Sequence, residues 1–579
     1  MRFRRPIRFL ATIVAIALMP TGLSARSAVA AVDCSDTHLG NRTAQATGHT
    51  TATRNAVRVF AMQYRQDLAY AKTYATFRHK MECLLLDYVV PNLSTTTPNV
   101  VVFNEDIGLA TLGIGTRGAG ARAIAASPLK DPANLYGAIA AFAAVGAGYA
   151  PQIAYYAAHS PHTSAMRLIL AAATDTFVRA FMQTFSDLAR TYKVYIVAAN
   201  NQAEFRELAV ATHPAAAVLI DPGLALKYAT GALKTVYQAV DSAGPGVSDS
   251  NAGSSAAGIN VYNKAFMWSP NPGVEPYATQ RFATYALNGV MTKSDPRSNL
   301  IAVVKKTPIT PIEQSLLDLT DDGDMTVENT GPFPLSGVPT TAQNPAPLPP
   351  SVAIGFGISL PAFEWGTDFG HAFSGNPCAH STTWMRCLDA RNVNIFLQPE
   401  ANPGCCWADY IDAGWTPPAW QALSWLDSAW RAVADPTSHI RYSVTPMMTG
   451  NLVDLAFDGQ SAIFERCSIM SHDYCTANTP STFVGAKDFI ACPKPSNHCD
   501  DSRLAPYAGP LRETIAIAPW VLGDAASLSP AANRDALAAR SHAMLAGSGS
   551  PYENGYLETA IWADLPLTLV APPVPTTGA

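Results

Sequence analysis

Short apolar runs that stop at polar or turn-forming residues alternate along this chain with segments of helical spacing, and that alternation predicts an α/β protein. Arg58-Val-Phe-Ala-Met-Gln-Tyr64 alternates and ends polar, as an opening strand does, and residues 70–89 then carry Tyr74, Phe77, Met81, Leu84 and Leu85 at helical intervals. Asn99-Val-Val-Val-Phe-Asn-Glu-Asp106 reads as the next strand, residues 177–192 as a helix, and Lys193-Val-Tyr-Ile-Val-Ala-Ala-Asn200 as the strand after it. Further strands are expected at 352–358 and at 393–397, with a helix at 384–391 between them. Residues 420–433 repeat apolar side chains on one helical face. Runs that are apolar throughout point to strands buried on both faces, and the carboxyl ends of such strands are where sites are built.

One of those ends is conspicuous. Glu105 closes a buried run, where a carboxylate is expensive unless it is solvated, paired or working. On its own it reads as a strand-end acid in a turn. The segment 352–403 adds a strand–loop–helix–strand unit that contains Gly355-Phe-Gly-Ile-Ser359 and Leu388-Asp-Ala-Arg-Asn-Val-Asn-Ile-Phe-Leu-Gln-Pro399. That unit resembles the nucleophile region of the carbon-nitrogen hydrolase (nitrilase and amidase) superfamily, with serine where the family has its cysteine. Phe103-Asn-Glu105 resembles the family's general-base motif, with Asn in place of Pro. Val261-Tyr-Asn-Lys-Ala-Phe-Met267 resembles a family strand, and Lys306-Thr-Pro-Ile-Thr-Pro-Ile-Glu313 resembles its lysine segment, with Pro308 where His is usual. Residues 443–450, 457–464 and 558–566 resemble the family's late and closing strands, and the match spans both ends and the middle of the chain, about half of it.

The resemblance implies a nitrilase-like α-β-β-α sandwich of two mixed sheets with long insertions. It implies Glu105 as general base, Lys306 as the cation that stabilises an oxyanion, Ser359 at the nucleophile position and Glu313 as a supporting acid, all meeting in one pocket. Lys305 is the fallback if the register is off by one. The implied activity is hydrolysis of an amide or nitrile through an acyl-enzyme, without metal or other cofactor, on a small-molecule substrate; the resemblance leaves room for a homodimer. The serine is the difficulty. A thiol near pKa 8.5 ionises readily beside a lysine, whereas a serine hydroxyl is a far weaker acid and is usually served by histidine. Three readings stay open: Ser359 as a retuned nucleophile, a thiol from Cys405 or Cys406 in its stead, or a catalytically inactive nitrilase-fold protein that binds a ligand or partner.

Composition narrows the setting. Residues 1–30 carry Arg2, Arg4, Arg5 and Arg8, an apolar run over 9–19 and Ala28-Val29-Ala30, the layout of a secretory signal peptide cleaved near Ala30. Without the five arginines of that segment, 34 basic residues face 44 acidic ones, a net charge of −10 that argues against nucleic acid and anionic lipid as partners. Cys34 follows in a poor lipidation context, so a soluble exported product is expected. Ten cysteines in an exported chain point to disulfides, and short spacings suggest Cys378 with Cys387, Cys467 with Cys475 and Cys492 with Cys499, leaving Cys34, Cys83, Cys405 and Cys406. One domain over 31–570 is expected, with insertions near 107–170 and 201–258, a stiff proline-rich connector at 343–351 and a flexible tail at 571–579.

Several weaker patterns are set aside. Gly113-Ile-Gly-Thr-Arg-Gly118 spells a dinucleotide fingerprint outside any strand–helix context, and Asp321-Asp-Gly-Asp324 lacks calcium-loop spacing and a closing glutamate. His159 and His162 stand without acidic or thiolate company. Residues 135–158 are apolar, but Gly146, Gly148, Pro151 and Gln152 interrupt them, so a buried or site-covering helical insertion is expected rather than a membrane span.

Overall fold

The computed structural model describes residues 32–38, 42–50, 56–126, 136–224, 234–240, 258–321, 323–333, 335, 352–359, 375–401, 432–433, 435, 437–453, 455–457, 461–466, 514–518 and 557–566. The signal segment 1–30, the connector 343–351, Cys405, Cys406, Cys467, Cys475, Cys492, Cys499 and the tail lie outside the described residues, as does most of the helix expected at 420–433.

Seventeen strands are described: β1 (Thr47–His49), β2 (Ala56–Gln63), β3 (Arg65–Gln66), β4 (Asn99–Val102), β5 (Tyr195–Ala203), β6 (Phe205–Ala209), β7 (Thr235–Ala239), β8 (Val261–Trp268), β9 (Leu300–Lys305), β10 (Ile354–Phe356), β11 (Ile395–Leu397), β12 (Tyr442–Thr445), β13 (Thr449–Leu452), β14 (Leu455–Phe457), β15 (Ala462–Glu465), β16 (Thr514–Ile517) and β17 (Thr559–Pro566). They form a seven-stranded mixed sheet ordered β1-β17-β2-β4-β5-β8-β9 and a five-stranded mixed sheet ordered β10-β11-β12-β15-β16, with two small sheets beside them. Every described position of β4, β5 and β8 is buried, the outcome expected of strands covered on both faces.

The two-residue period of a strand divides these side chains between two cores. Val57, Val59, Val100, Val102, Tyr195, Val197, Ala265 and Met267 point one way and share a single apolar cluster with Ile354, Phe356, Ile395, Leu397, Tyr442 and Val444 of the five-stranded sheet. Phe60, Met62, Val101, Phe103, Ile196, Ala198, Phe266 and Trp268 point the other way and join the helices, among them Phe77 and Met81 of the helix Tyr74–Leu84 and Phe185 and Leu188 of the helix Gln183–Tyr192. The first of these helices begins with a reciprocal capping box between Thr73 and Thr76.

Strand direction decides what meets at the sheet ends. β2, β4 and β5 are parallel, and β8 runs antiparallel to both β5 and β9. β9 therefore runs with β4, and their carboxyl ends open on the same side of the sheet. β8 begins at that side, with its residue Lys264 opposite Asn200 near the end of β5. In the smaller sheet β10, β11 and β12 are parallel, so their carboxyl ends also lie together.

The stretch expected as one helical insertion at 135–158 is two helices, Tyr136–Gly148 and Ala150–His159, bent by 73° at the break. Among the described residues no single helix is long and apolar enough to cross a membrane. The bend is anchored by polar contacts: Gln152 Nε2 donates to the Val218 carbonyl at 2.7 Å, and the Ala239 amide donates to the Tyr156 hydroxyl at 2.8 Å. Two disulfides are described. Cys378–Cys387 is the pair suggested by spacing, and Cys34–Cys83 joins two cysteines that spacing left unassigned.

Candidate functional site

The strand expected to run through Asp106 ends at Val102, and the chain turns before it reaches Glu105; Asp106 takes a left-handed backbone with φ of 58°. This turn holds the Glu105 side chain at the end of the large sheet, almost completely buried. Lys306 directly follows β9 and reaches it across the two intervening strands, β5 and β8. Its Nζ lies 2.8 Å from Glu105 Oε1 and 2.8 Å from Glu313 Oε2. Lys305 instead turns toward Asp324, 3.9 Å away.

Glu313 is delivered by local sequence. Thr310-Pro-Ile-Glu313 opens the helix Pro311–Leu316 with a capping box, in which the Thr310 side chain accepts from the Glu313 amide and Glu313 Oε2 accepts the Thr310 amide at 2.8 Å. The proline sits in the first turn, where its missing N–H is no loss. Asn263, at the start of β8, completes the cluster. Its Nδ2 donates to Glu105 Oε1 at 2.6 Å and to Glu313 Oε1 at 2.7 Å, so one amide group bridges the two acids. In the sequence, Val-Tyr-Asn-Lys marks a strand and gives no sign of the role of its asparagine.

The second sheet closes the site. The Ala401 amide, just past β11, donates to Glu105 Oε2 at 3.1 Å. The neighbouring Glu400, fully buried, was not singled out from the sequence; the only signal was an acid ending a strand, as at Glu105. Gln398 Nε2 donates to Glu400 Oε1 at 2.5 Å, while Glu400 Oε2 is left without a well-formed hydrogen bond. Ser359, also buried, follows β10 and presents its hydroxyl to the Glu400 carboxyl. Among the described residues Ser359 faces the cluster through Glu400, because β10 and β11 are adjacent and their carboxyl ends coincide. Ser359 adopts φ of 59°, a left-handed conformation that non-glycine residues seldom take and that concentrates at functional turns.

Charge is arranged unevenly. Burial alone would strip Lys306 of its proton, but Glu105 and Glu313 outweigh it and hold the ammonium well above its ordinary range. Burial raises Glu313 too, yet the Lys306 charge prevails and its carboxyl sits below the usual value. Glu105 lies above the usual value because burial and the Glu313 charge together outweigh Lys306. Burial first, then the charge of Glu105, pushes Glu400 well up; the same two causes act on Asp106. The result is one firmly ionised lysine–glutamate pair beside carboxyls that hold protons tightly. Such a set can stabilise developing negative charge at Lys306 and exchange protons at a carboxyl. Cys405 and Cys406 lie outside the described residues.

No family model matches this chain, and no curated protein matches it. Among solved structures it is similar to a carbon-nitrogen hydrolase from Helicobacter pylori G27, at 11% identity and a TM-score of 0.31, over 72% of this chain and 84% of that one. It is likewise similar to an amidase from Nesterenkonia sp., at 12% identity and a TM-score of 0.28, over 72% and 84%. A mutant of the nitrilase-superfamily amidase from Nesterenkonia AN1 gives 10% identity and a TM-score of 0.30, over 72% and 85%. At scores this low the likeness adds nothing to what the strands and side chains of this chain show by themselves.

Proposed function

We propose that this protein is an exported carbon-nitrogen hydrolase that cleaves an amide, or a nitrile, of a small molecule through an acyl-enzyme on Ser359. The observation that carries the reading is the convergence of buried Glu105, Lys306 and Glu313 at one end of the large sheet with Ser359 and Glu400 at the ends of two strands of the other. Strand ends from two sheets bring together an oriented cation, carboxyls and a hydroxyl in a strained turn, the parts that nucleophilic acyl transfer requires. In this reading Lys306 faces the oxyanion, Glu105 and Glu313 hold its charge in place, and the proton of Ser359 passes to a carboxyl of the cluster. The fold is an α-β-β-α sandwich forming one domain over 31–570, with the insertions near 107–170 and 201–258 shaping the pocket.

The second reading, an inactive scaffold that binds a ligand or partner, is favoured by the serine itself, since a buried ion pair persists after activity is lost. A screen over amides, nitriles and esters separates the possibilities. Activity lost in Ser359→Ala and kept in the Cys405→Ala/Cys406→Ala double variant supports Ser359, and the reverse pattern assigns a thiol. An inert wild type in which Ser359→Cys gains activity identifies the scaffold as a hydrolase that has lost its nucleophile.

A further inference from the structure

Two carboxylates could take the Ser359 proton, and they differ in which oxygen is open. Glu105 has both oxygens engaged, Oε1 by Lys306 and Asn263 and Oε2 by the Ala401 amide. Glu400 has Oε1 engaged by Gln398, its Oε2 is buried without a well-formed hydrogen bond, and its carboxyl faces the Ser359 hydroxyl from the neighbouring strand end. Its backbone is fixed on both sides, the amide donating to the Pro446 carbonyl at 3.1 Å and the carbonyl accepting from Met448 at 3.2 Å. Gln398 is held in turn, its Oε1 accepting from Thr445 Oγ1 at 3.5 Å. A general base needs a vacant lone pair beside the proton it removes, and a buried acceptor without a partner is a group waiting for one.

We propose that Glu400 is the catalytic residue that exchanges the proton with Ser359, while Glu105 is a positioning residue that fixes Lys306. The inference rests on the acyl-enzyme reading given above. As Ser359 Oγ bonds to the amide carbon, its proton moves to Glu400 Oε2 and the carbonyl π pair moves to oxygen beside Lys306. Collapse of the oxyanion breaks the carbon–nitrogen bond, and Glu400 returns the proton to the leaving nitrogen, which departs as an amine. Water then enters, gives a proton to Glu400 and attacks the ester carbon. The bond to Ser359 Oγ breaks, Oγ regains the proton, and the acid is released.

The environment suits this role. The groups facing Glu400 are Glu105 and Lys306 from the large sheet, Gln398 from its own strand and Ser359 from the neighbouring one, and burial with the Glu105 charge makes it a stronger base than an exposed glutamate. A weakly acidic hydroxyl is better matched to such a base than to an ordinary carboxylate. The ionised form of Glu400 is the working one, so the reaction quickens as pH rises.

The test is the rate at which a fluorophosphonate probe labels Ser359, followed by mass spectrometry across pH in the wild type, Glu400→Gln and Glu105→Gln. The expected result is labelling that rises with pH in the wild type, falls by about a hundredfold or more in Glu400→Gln with loss of the pH dependence, and keeps the rising profile in Glu105→Gln. Circular dichroism of Glu400→Gln, a near-isosteric change, checks that the fold is retained. Labelling of Ser359 at the wild-type rate and pH profile in Glu400→Gln overturns the inference and leaves the acyl-enzyme reading standing. Absence of Ser359 labelling in the wild type at every pH overturns both.

Discussion

The Ala401 amide donates across to Glu105 Oε2 at 3.1 Å, so a residue following a strand of the five-stranded sheet completes the coordination of an acid in the turn after a strand of the seven-stranded one. Through Glu105 that bond continues to Lys306 and Glu313. The electrostatic centre of the candidate site is thus also a seam between the sheets, and substitutions there should register in stability as well as activity.

Lys306→Met leaves Glu105 and Glu313 buried without their cation. The expected loss is about 3–5 kcal/mol, the range for removing one member of a buried charge cluster. Glu105→Gln should lose less, because Glu313 still compensates the ammonium. Urea denaturation of the two variants measures both, and equal midpoints for Lys306→Met and wild type would sink this account.

Stability should depend on pH through Glu400. Its folded proton affinity is raised above the ordinary glutamate value of 4.5, so the folded state binds the extra proton more tightly than the unfolded chain does. The favourable contribution is complete below that value and is lost as pH rises through the raised folded pKa. Glu400→Gln removes the dependence. Its melting temperature relative to wild type should therefore climb between pH 4.5 and mildly alkaline pH; a constant difference across that window counts against a buried, proton-holding carboxyl. Glu313 has the opposite sign: with its pKa held below 4.5 by Lys306, its contribution is present above 4.5 and is lost on further acidification.

Cys34 and Cys83 are 49 residues apart, and their bond ties the N-terminal segment to the helix Tyr74–Leu84. Closing a loop of that length is worth about 4 kcal/mol on the chain-entropy account. Replacing both cysteines by alanine should lower stability by up to that amount. Peptide mapping without reductant should recover Cys34 linked to Cys83 and Cys378 linked to Cys387; recovery of these four as free thiols from exported protein would contradict the assignment.

The parts of the site that could be read from the sequence are those fixed by local pattern. Glu105 stands out as an acid closing an apolar run, and Lys306 is recognisable by its flanks, although only the direction of its side chain separates it from Lys305. The strand positions at 99, 195, 354 and 395 follow from runs of apolar residues and those at 261, 300 and 559 from the family resemblance, and the two-residue period divides them between the two cores. What could not be read is what depends on strand order. Asn263 joins two acids only because β8 begins where β4 and β9 end, and Glu400 faces Ser359 only because β11 lies beside β10. The Cys34–Cys83 bond depends likewise on a helix and a terminal segment that meet through the fold. The left-handed backbone of Ser359 has no signature in a serine, the residue type giving no warning that glycine does.

The bridging asparagine provides the most exacting test of the cluster. Asn263 Nδ2 has two hydrogens, and each is committed to a different carboxylate, Glu105 at 2.6 Å and Glu313 at 2.7 Å. Asn263→Ala takes a donor from both acids at once in a buried setting, and each unsatisfied group costs about 1–3 kcal/mol. Asn263→Asp keeps the shape but replaces the donor by a third carboxyl within hydrogen-bond reach of two others, so it should be the worse of the two. Its penalty should shrink at acidic pH, where the new carboxyl takes up a proton and regains a donor, whereas the alanine variant should show no such recovery. Thermal melts of both variants at neutral and acidic pH read this directly. An aspartate variant as stable as wild type at neutral pH would mean that the two glutamates do not share the asparagine, and that the cluster is held by Lys306 alone.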